Sequence, residues 1–505
     1  MPANTALGTP SSASVLLRLT AMAAACLLTT ACAVGPDFKT PEAPKVSGYT
    51  PQPLPQQTST AATQGGEAQR FVSGMPVSDQ WWKTFQSEKL NKTIANAIAA
   101  SPTLAAAQAA LRVAQQQTRA QQGAFFPMLQ GSYQPSRQQN AVGTISPTLT
   151  SGAPIYTLHT AQLTVSYAPD VFGLNRRQVE SLKATEDAQY FQMEAAYLTL
   201  ASNIVVAAVQ EASLRAQIAA QQRIVDINTQ LLDNLHKQFQ LGAVTGLEVA
   251  AAETALAQAE QALPNLQKQL AVQRDLLAAL AGKLPSEGIP ETFTFADFTL
   301  PKELPVSLPS DLVRQRPDVR AAEEQLHAAT AQVGVAIANM LPQLTITGTK
   351  GGTAEIFSQM FRDGNVFWSL VGNVAQTFFD GGALLAKKRA AVAGVDQAEA
   401  QYRGTVVTAF QNVADTLHAL DADADVLKAS LKSEQAARKT LNITDKQRAI
   451  GQVNLLAVLN AEQAYQTAAQ ATIEARANRL SDTAALFQAL GGGWWNRGGG
   501  DIAQR

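Results

Sequence analysis

The residues that most often carry catalysis or bind metal ions are few and scattered in this chain. Asp421, Asp423 and Asp425 alternate as in a calcium loop, but they fall inside a predicted helix and lack the glycine and the terminal glutamate of an EF-hand. The glycine clusters lack the strand and helix context of a phosphate-binding loop. The histidines show no metal-ligand spacing and lie far apart, at His159, His236, His327 and His418. The pattern predicts no enzyme, no metal site and no cofactor.

The first 31 residues predict a secretory signal peptide. Arg18 is their only charged side chain, an apolar stretch covers residues 19–28, and small residues precede Cys32. Cys32 resembles the lipobox cysteine of bacterial lipoproteins, which is diacylated and becomes the new N-terminus, although Thr29 stands where that motif has leucine. Ala33 follows the cysteine, which by the sorting rule of such lipoproteins points to the outer membrane. The alternative is ordinary cleavage beside an incidental cysteine.

Residues 32–80 predict a flexible tether behind this lipid anchor. They are rich in Pro, Gln, Ser and Thr and show no apolar periodicity. The formal net charge of −1 predicts no general attraction to nucleic acid. Beyond the N-terminus, no run of 18 apolar residues predicts a transmembrane helix. Any membrane-spanning part is therefore expected to be β.

An internal repeat organises the rest of the chain. Pro102 and Pro317 stand in matching strings at an offset of 215 residues, and Gly242 and Gly451 correspond at an offset of 209. Each copy has the same predicted order of a helix, a β-hairpin, a very long helix and a returning helix. The predicted parts are a first structural repeat at 81–300, a second at 301–495 and a C-terminal tail at 496–505.

The predicted fold is mainly α. Residues 174–241 and 384–450 each continue for nearly 70 residues without proline, which corresponds to about 100 Å of helix. The returning segment at 247–281 places apolar residues every seven positions, as a coiled-coil seam does, and Pro264 is expected to bend it. Another helix is predicted at 311–340. End to end, the two shorter helices match the length of one long helix.

Two predicted β-hairpins, at 127–170 and 341–379, interrupt the helices. Their strands alternate apolar and polar residues, as Leu163 and Val165 do on either side of Thr164. Such alternation suits a transmembrane barrel with lipid outside and water inside, although soluble sheets alternate as well. Two hairpins supply four strands, which is fewer than the smallest closed barrels need. Because open strand edges are not tolerated in lipid, further copies of the chain are expected to complete the barrel.

Five motifs together resemble a known family. They are CAVGPDF at 32–38, Trp81 and Trp82 with Phe85, LPSDL at 308–312, RPDVR at 316–320 and ALGGGW at 489–494. The combination resembles the outer-membrane factor family of tripartite efflux systems, which contains TolC and OprM, and within it the NodT-like lipoprotein branch. The resemblance covers nearly the whole mature chain. It implies a trimeric α-barrel of long coiled-coil helices, continued by a 12-stranded transmembrane β-barrel with four strands from each chain.

The resemblance also implies a function. The chain would be the outer-membrane channel subunit of a tripartite efflux pump, a passive conduit for small molecules such as drugs and toxic compounds. Its partners would be two more copies of itself, a periplasmic adaptor (membrane fusion) protein, an inner-membrane RND-type transporter and outer-membrane lipid. An alternative with the same fold is the outer-membrane conduit of a type I protein secretion system. A periplasmic scaffold without ion conductance is a third possibility.

The resemblance finally assigns the helix tips and a gate. Glycine just after a long helix favours a left-handed cap, so Gly242 and Gly451 are predicted to end the two long helices. Family members carry an Asp after the second tip and a Tyr before it, where this chain has Asn460 and Arg448. We expect this pair to lie close together and the ion-pair lock to be weakened. The expected adaptor contacts are Gly242, Val244, Leu247, Gly451, Val453 and Leu455.

Overall fold

The computed structural model describes residues 33–139 and 155–497. The predicted signal peptide, Cys32 and the whole loop between the first two long strands, residues 140–154, lie outside these residues. So do positions 498–505 of the predicted C-terminal tail.

Long helices account for most of the described chain, as predicted. The helices are α1 (Glu88–Ala100), α2 (Pro102–Gln122), α3 (Leu174–Gln240), α4 (Gly246–Leu280), α5 (Pro309–Gln315), α6 (Pro317–Ala338), α7 (Ala383–Ala449) and α8 (Leu455–Ala489). Both α3 and α7 have 67 residues, or about 100 Å, and their ends agree with the prediction to within one residue. Helix α4 continues through Pro264 as one element.

The helix predicted at 311–340 is two helices, α5 and α6. Arg316, which lies between them, has an extended backbone with φ −78° and ψ 124°. A residue that precedes proline is driven out of the helical region by contact with the proline ring, and Pro317 then begins α6. The single-helix prediction is wrong for this reason.

Four long strands form one antiparallel sheet. The strands are β1 (Arg70–Ser73), β2 (Met128–Gln139), β3 (Ile155–Tyr167), β4 (Glu303–Val306), β5 (Gln343–Ala354) and β6 (Val366–Ala375). The sheet has the order β2-β3-β5-β6, so both predicted hairpins are confirmed. Strands β1 and β4 form a separate parallel pair that the sequence did not predict.

The register gives the four-stranded sheet two different faces. Cross-strand partners project to the same side, so Leu163 of β3 shares a face with its partners on β2 and β5. One face is mainly apolar and includes Leu129, Leu163, Val165, Leu344, Ile346, Leu370 and Val374. The opposite face is mainly polar and includes Gln130, Ser132, Gln162, Thr164, Thr345, Thr347, Ser369 and Asn373.

The described chain comprises two compact units. One contains the four-stranded sheet and residues 33–40, 112–139, 155–187 and 324–400. The other contains the main hydrophobic core and residues 41–111, 188–323 and 401–497. Each predicted repeat contributes to both units, because the hairpin and the adjoining helix ends of each repeat belong to one unit and the remaining helices to the other.

The predicted flexible tether is wrong for residues 41–80, which are a packed part of the second unit. The fully buried Arg479 donates hydrogen bonds to the carbonyl oxygen of Gly65 at 3.1 Å and to the hydroxyl of Thr58 at 3.0 Å. The buried Gln69 amide donates to Pro301 and to Thr483. Polar side chains from other elements hold the segment through hydrogen bonds to its backbone. Because the segment is not held by a stripe of apolar side chains, its apolar periodicity gave no sign of this packing.

One helix in the described ranges passes a length and hydropathy test for a membrane span. The most apolar 18-residue window of α3 has a mean hydropathy of 1.2, and 61% of it is buried inside the structure. Burial of this extent also occurs in the core helices of soluble proteins. Helix α1 and the segment that begins with α2 pass the same test only as a pair, bent by 45°.

Candidate functional sites at the helix tips, the gate and the anchor segment

Both helix tips have the same turn. Gly242 has φ +71° and donates its N–H to the carbonyl of Phe239 at 2.9 Å, while Ala243 donates to Gln238 at 2.8 Å. This pair of bonds is the Schellman motif. The second tip repeats it around Gly451, which has φ +75°. A Cβ at either glycine would meet no atom within 4 Å, so the left-handed backbone, rather than lack of space, is what requires glycine.

Each returning helix begins with a side-chain cap. Thr245 and Glu248 form a capping box before α4, in which the carboxylate accepts the N–H of Thr245 at 3.0 Å. Asn454 caps α8 by accepting the N–H of Ala457 at 3.1 Å. Such caps satisfy N–H groups that have no partner inside the helix. The two turns are therefore well-defined structures.

The predicted adaptor contact at Leu455 is wrong, because this side chain is only 1% exposed and packs in a cluster with Leu235 and Val249. At the repeat offset of 209, the counterpart of Leu247 is Leu456. These two leucines are 80% and 58% exposed. In the second repeat the exposed leucine therefore lies one residue after the predicted one.

The side chains of the two predicted valines are only partly exposed. Val244 and Val453 are half-buried, and Val244 packs against the cluster that contains Leu455. Large apolar side chains are nevertheless exposed at the tips. We call Leu241, Leu247, Ile450 and Leu456 the apolar tip residues.

An amide-rich groove contains one of the two predicted gate residues. It has a volume of about 550 Å³, and Asn460 is exposed in it. Arg448 does not line the groove, and the described residues include no hydrogen bond or ion pair between Arg448 and Asn460. Their proposed link stays a prediction. The polar lining includes Gln221, Asn228, Gln258, Asn460, Glu462, Gln463 and Gln466.

Sequence reasoning missed Glu462, the buried carboxyl group of this groove. Its side chain is 6% exposed. Burial raises the pKa of Glu462 to about 7, and the nearby charge of Asp445 adds to the shift. A signal was available, because Glu462 follows the buried Leu455 and Val458 at helical spacing. A carboxyl group on the packed face of a helix marks such a site.

A second carboxyl pair links α7 and α8. Burial raises the pKa of Asp423 to about 7, and a hydrogen bond with Asp482 contributes. Such a hydrogen bond between two carboxyl groups requires that one of them carries a proton. The helix pair α7 and α8 thus holds two carboxyl groups, Asp423 and Glu462, whose pKa values are raised above their usual range by burial.

Residues 33–38, which follow the predicted anchor, are bound by the unit that contains the sheet. The buried Arg177 donates to the carbonyl of Val34 at 3.1 Å and to Asp37 at 2.7 Å. Phe38 stacks on His327 with ring centroids 4.4 Å apart. The tether prediction is therefore also wrong here. Cys32 lies outside the described residues, and its acylation stays a prediction.

Two of the family motifs have structural roles. Arg316 forms a bidentate pair with Asp318, at 3.0 and 2.6 Å, and donates to the carbonyl of Ala489 at 3.0 Å. The indole N–H of Trp494 donates to the carbonyl of Gln315 at 2.7 Å. The RPDVR and ALGGGW strings therefore fasten the start of α6 to the end of α8.

Long helical hairpins with matched tips, joined in one chain to a sheet with one apolar and one polar face, define an outer-membrane channel subunit. The chain belongs to the outer membrane efflux protein family, whose model matches residues 93–283 and 308–492. The predicted class, its efflux role and its location in the outer membrane are thereby confirmed. The family is a transport family.

Individual proteins agree with this assignment. The chain is 30% identical over 428 residues to the pyoverdine export outer membrane protein OpmQ of Pseudomonas aeruginosa, covering 82% of this chain and 87% of that protein. It is 27% identical over 472 residues to nodulation protein T of Rhizobium leguminosarum, and the match covers 93% of this chain and 92% of that protein. The structure of the outer-membrane channel OprN is similar, with a TM-score of 0.80 and 26% identity over 92% of this chain and all of that one.

Proposed function

We propose that three copies of this chain form the passive outer-membrane conduit of a tripartite efflux pump. The observation that carries this proposal is the sheet order, which leaves one edge of β2 and one edge of β6 without a partner among residues 33–139 and 155–497. Unpaired strand edges are not stable in lipid. Pairing of β6 with β2 of the next copy would satisfy both edges, and three copies would supply twelve strands.

The two faces of the sheet support the same assembly. In a closed barrel the apolar face would contact lipid, and the polar face would line a water-filled channel. Leu370 and Ser369 are neighbours on β6 that project to opposite faces. They offer a matched pair of positions for a test.

Leu370→Lys is expected to place a charge in lipid, at a cost of roughly 2–4 kcal/mol near the bilayer midplane, and to reduce the amount of inserted trimer severely. Ser369→Lys is expected to insert normally and to shift the ion selectivity of the channel towards anions. Native mass spectrometry of the detergent-extracted protein and planar-bilayer recordings measure the two effects. Equal tolerance of both substitutions, or a monomer that conducts, would contradict the trimeric barrel.

Known relatives support small molecules as cargo. They include proteins named for pyoverdine export, toluene efflux and antibiotic efflux. We therefore favour efflux over the type I secretion of polypeptides. In this proposal an RND-type inner-membrane transporter supplies the energy.

Acylation of Cys32 would anchor the subunit in outer-membrane lipid, and an intact mass without the lipid increment would contradict it.

The apolar tip residues are the proposed contact with the periplasmic adaptor. Leu247→Glu and Leu456→Glu are expected to weaken adaptor co-purification and to impair drug efflux in cells, since both remove exposed apolar surface from the tips. Leu284→Glu is the matched control, because Leu284 is also exposed but lies outside the tips. Conductance of the isolated channel should not change in any of the three variants. Equal losses in the control would argue against a tip-specific contact.

A further inference from the structure

A cation lies on the apolar face of the four-stranded sheet. Lys350 of β5 pairs with Leu163 of β3 on one side and with Trp368 of β6 on the other, so all three side chains project to this face. The Lys350 side chain is exposed. No ion-pair partner of Lys350 occurs in residues 33–139 or 155–497. An unpaired ammonium group among apolar side chains is unusual on a surface that faces lipid.

The charge of the sheet has one sign. The four strands contain no Asp or Glu. Their two Lys and Arg residues are Arg137 and Lys350, and the register places both on the apolar face, because Arg137 has the same parity on β2 as Leu129. This face therefore combines apolar surface with positive charge and complements a ligand that is apolar and negatively charged.

A pocket of about 690 Å³ lies beside Lys350. Its walls are mainly apolar, and among the described residues that line it Lys350 is the only charged one. The residues that form its walls include Gly131, Tyr133, Leu163, Lys350, Phe361 and Val366.

Contacts within the chain preform the walls of the pocket. A Cβ at Gly352 would clash with the carbonyl oxygen of Met360, so glycine allows the connection between β5 and β6 to pack down on the sheet. This packing buries Met360 and brings Phe361 to the pocket. On the other side, the hydroxyl of Tyr133 hydrogen-bonds His159 Nδ1 at 2.8 Å. A preformed site binds a ligand with little ordering cost.

We propose that this pocket binds an anionic membrane lipid, with the Lys350 ammonium on the lipid phosphate and an acyl chain along the apolar wall. The inference rests on the proposed function, which places this face in the bilayer. A phosphate partner would offset the cost of holding a cation at this depth. A zwitterionic lipid is a poorer match, because its own cationic headgroup competes with Lys350 for the phosphate.

Trp368 provides a local probe, because it pairs with Lys350 across the sheet and is 76% exposed. The full-length trimer is reconstituted in vesicles of phosphatidylglycerol and phosphatidylcholine at fixed composition, with brominated chains on one lipid or the other. Bromine quenches tryptophan fluorescence on contact, so the ratio of the two quenching efficiencies reports which lipid is enriched at Trp368. Trp368→Phe identifies the part of the signal that belongs to this residue.

We expect brominated phosphatidylglycerol to be enriched about fivefold at Trp368 in the wild type, the effect of one lysine close to an anionic lipid. Lys350→Gln should abolish the preference and Lys350→Arg should retain it. Lys439→Gln is the charge-matched control on an exposed part of α7 and should leave the preference unchanged.

Equal quenching by the two lipids in a conducting wild-type trimer would overturn the lipid site and leave the proposed function intact. Preserved anionic preference in Lys350→Gln would likewise overturn it. Absence of quenching by either lipid would show that the sheet does not face the bilayer, and would overturn the proposed function together with the site.

Discussion

The two helical hairpins, α3 with α4 and α7 with α8, share their turns but differ in the charges behind them. At the offset of 209 residues, His236 and Glu253 of the first hairpin correspond to Asp445 and Glu462 of the second. In the first hairpin the imidazole and the carboxylate are 3.9 Å apart and both are about half exposed. In the second hairpin both groups are acids and Glu462 is buried.

This comparison shows which property the repeat has kept. Both copies retain the backbone geometry of the turn, down to the left-handed glycine and the pattern of its hydrogen bonds. They have not retained the electrostatics. The first hairpin has an opposite-charge pair whenever His236 is protonated, whereas the second gains a like-charge repulsion whenever Glu462 ionises. We therefore expect the second hairpin to respond more strongly to pH.

The largest expected effect is that of Glu462→Gln. Because the pKa of Glu462 is raised from 4.5 to about 7, its protonated form stabilises the native hairpin fully below pH 4.5, and this stability is lost as the pH rises through about 7. Above that pH the substitution should raise the free energy of unfolding by up to roughly 3 kcal/mol, with little effect below pH 4.5. Thermal unfolding of the trimer across this pH range measures it.

Glu253→Gln is the matched control in the first hairpin. Glu253 is half exposed, and an exposed pair of this kind contributes roughly 0–1 kcal/mol. Its removal should change the pH dependence of unfolding far less than Glu462→Gln does. If both substitutions changed the pH dependence equally, the electrostatic difference between the hairpins would be disproved.

A smaller effect, equal in both hairpins, is expected for Gly242→Ala and Gly451→Ala. Alanine in the left-handed region costs about 1–2 kcal/mol, and the open space around both glycines adds no steric penalty. Hydrogen exchange of the amides in each turn would measure the local loss. A much larger loss at one tip would show that the two turns differ in more than their charges.

The sequence alone predicted the elements that depend on local pattern. The ends of α3 and α7 followed from proline-free helical stretches and a following glycine, and both hairpins of the sheet followed from alternation. These signals lie within a few residues of the feature that they predict, so no tertiary information was needed.

The failed predictions involve contacts between distant parts of the chain. Arg479 fastens residues 58–67 from more than 400 positions away, which composition cannot reveal. Leu455 and Glu462 are buried, whereas Leu456, the residue after Leu455, is exposed. Which of these side chains is buried depends on how α8 packs. Helical periodicity indicated roughly which residues of α8 face the core. Only the packed structure showed which of two adjacent residues is buried.

The smallest expected effect is that of Asn460→Asp. Asn460 is exposed in the groove that also contains Glu462, so a new carboxylate there adds a weak repulsion to the one from Asp445. We expect the pH midpoint of the stability curve to rise by a few tenths of a unit, since water and salt screen an exposed charge.

The salt dependence of the Asn460→Asp effects distinguishes this outcome from an ion-pair lock at the gate. If repulsion acts alone, the shift caused by Asn460→Asp should shrink at high salt, and the open probability of single channels should stay unchanged or increase. If Arg448 instead reaches the new carboxylate, the channel should open less often, and salt should reverse that loss. The structure favours the first outcome, because Glu462 lines the groove beside Asn460 and Arg448 does not. A lower open probability that Arg448→Gln abolishes would contradict it and place the lock at this pair.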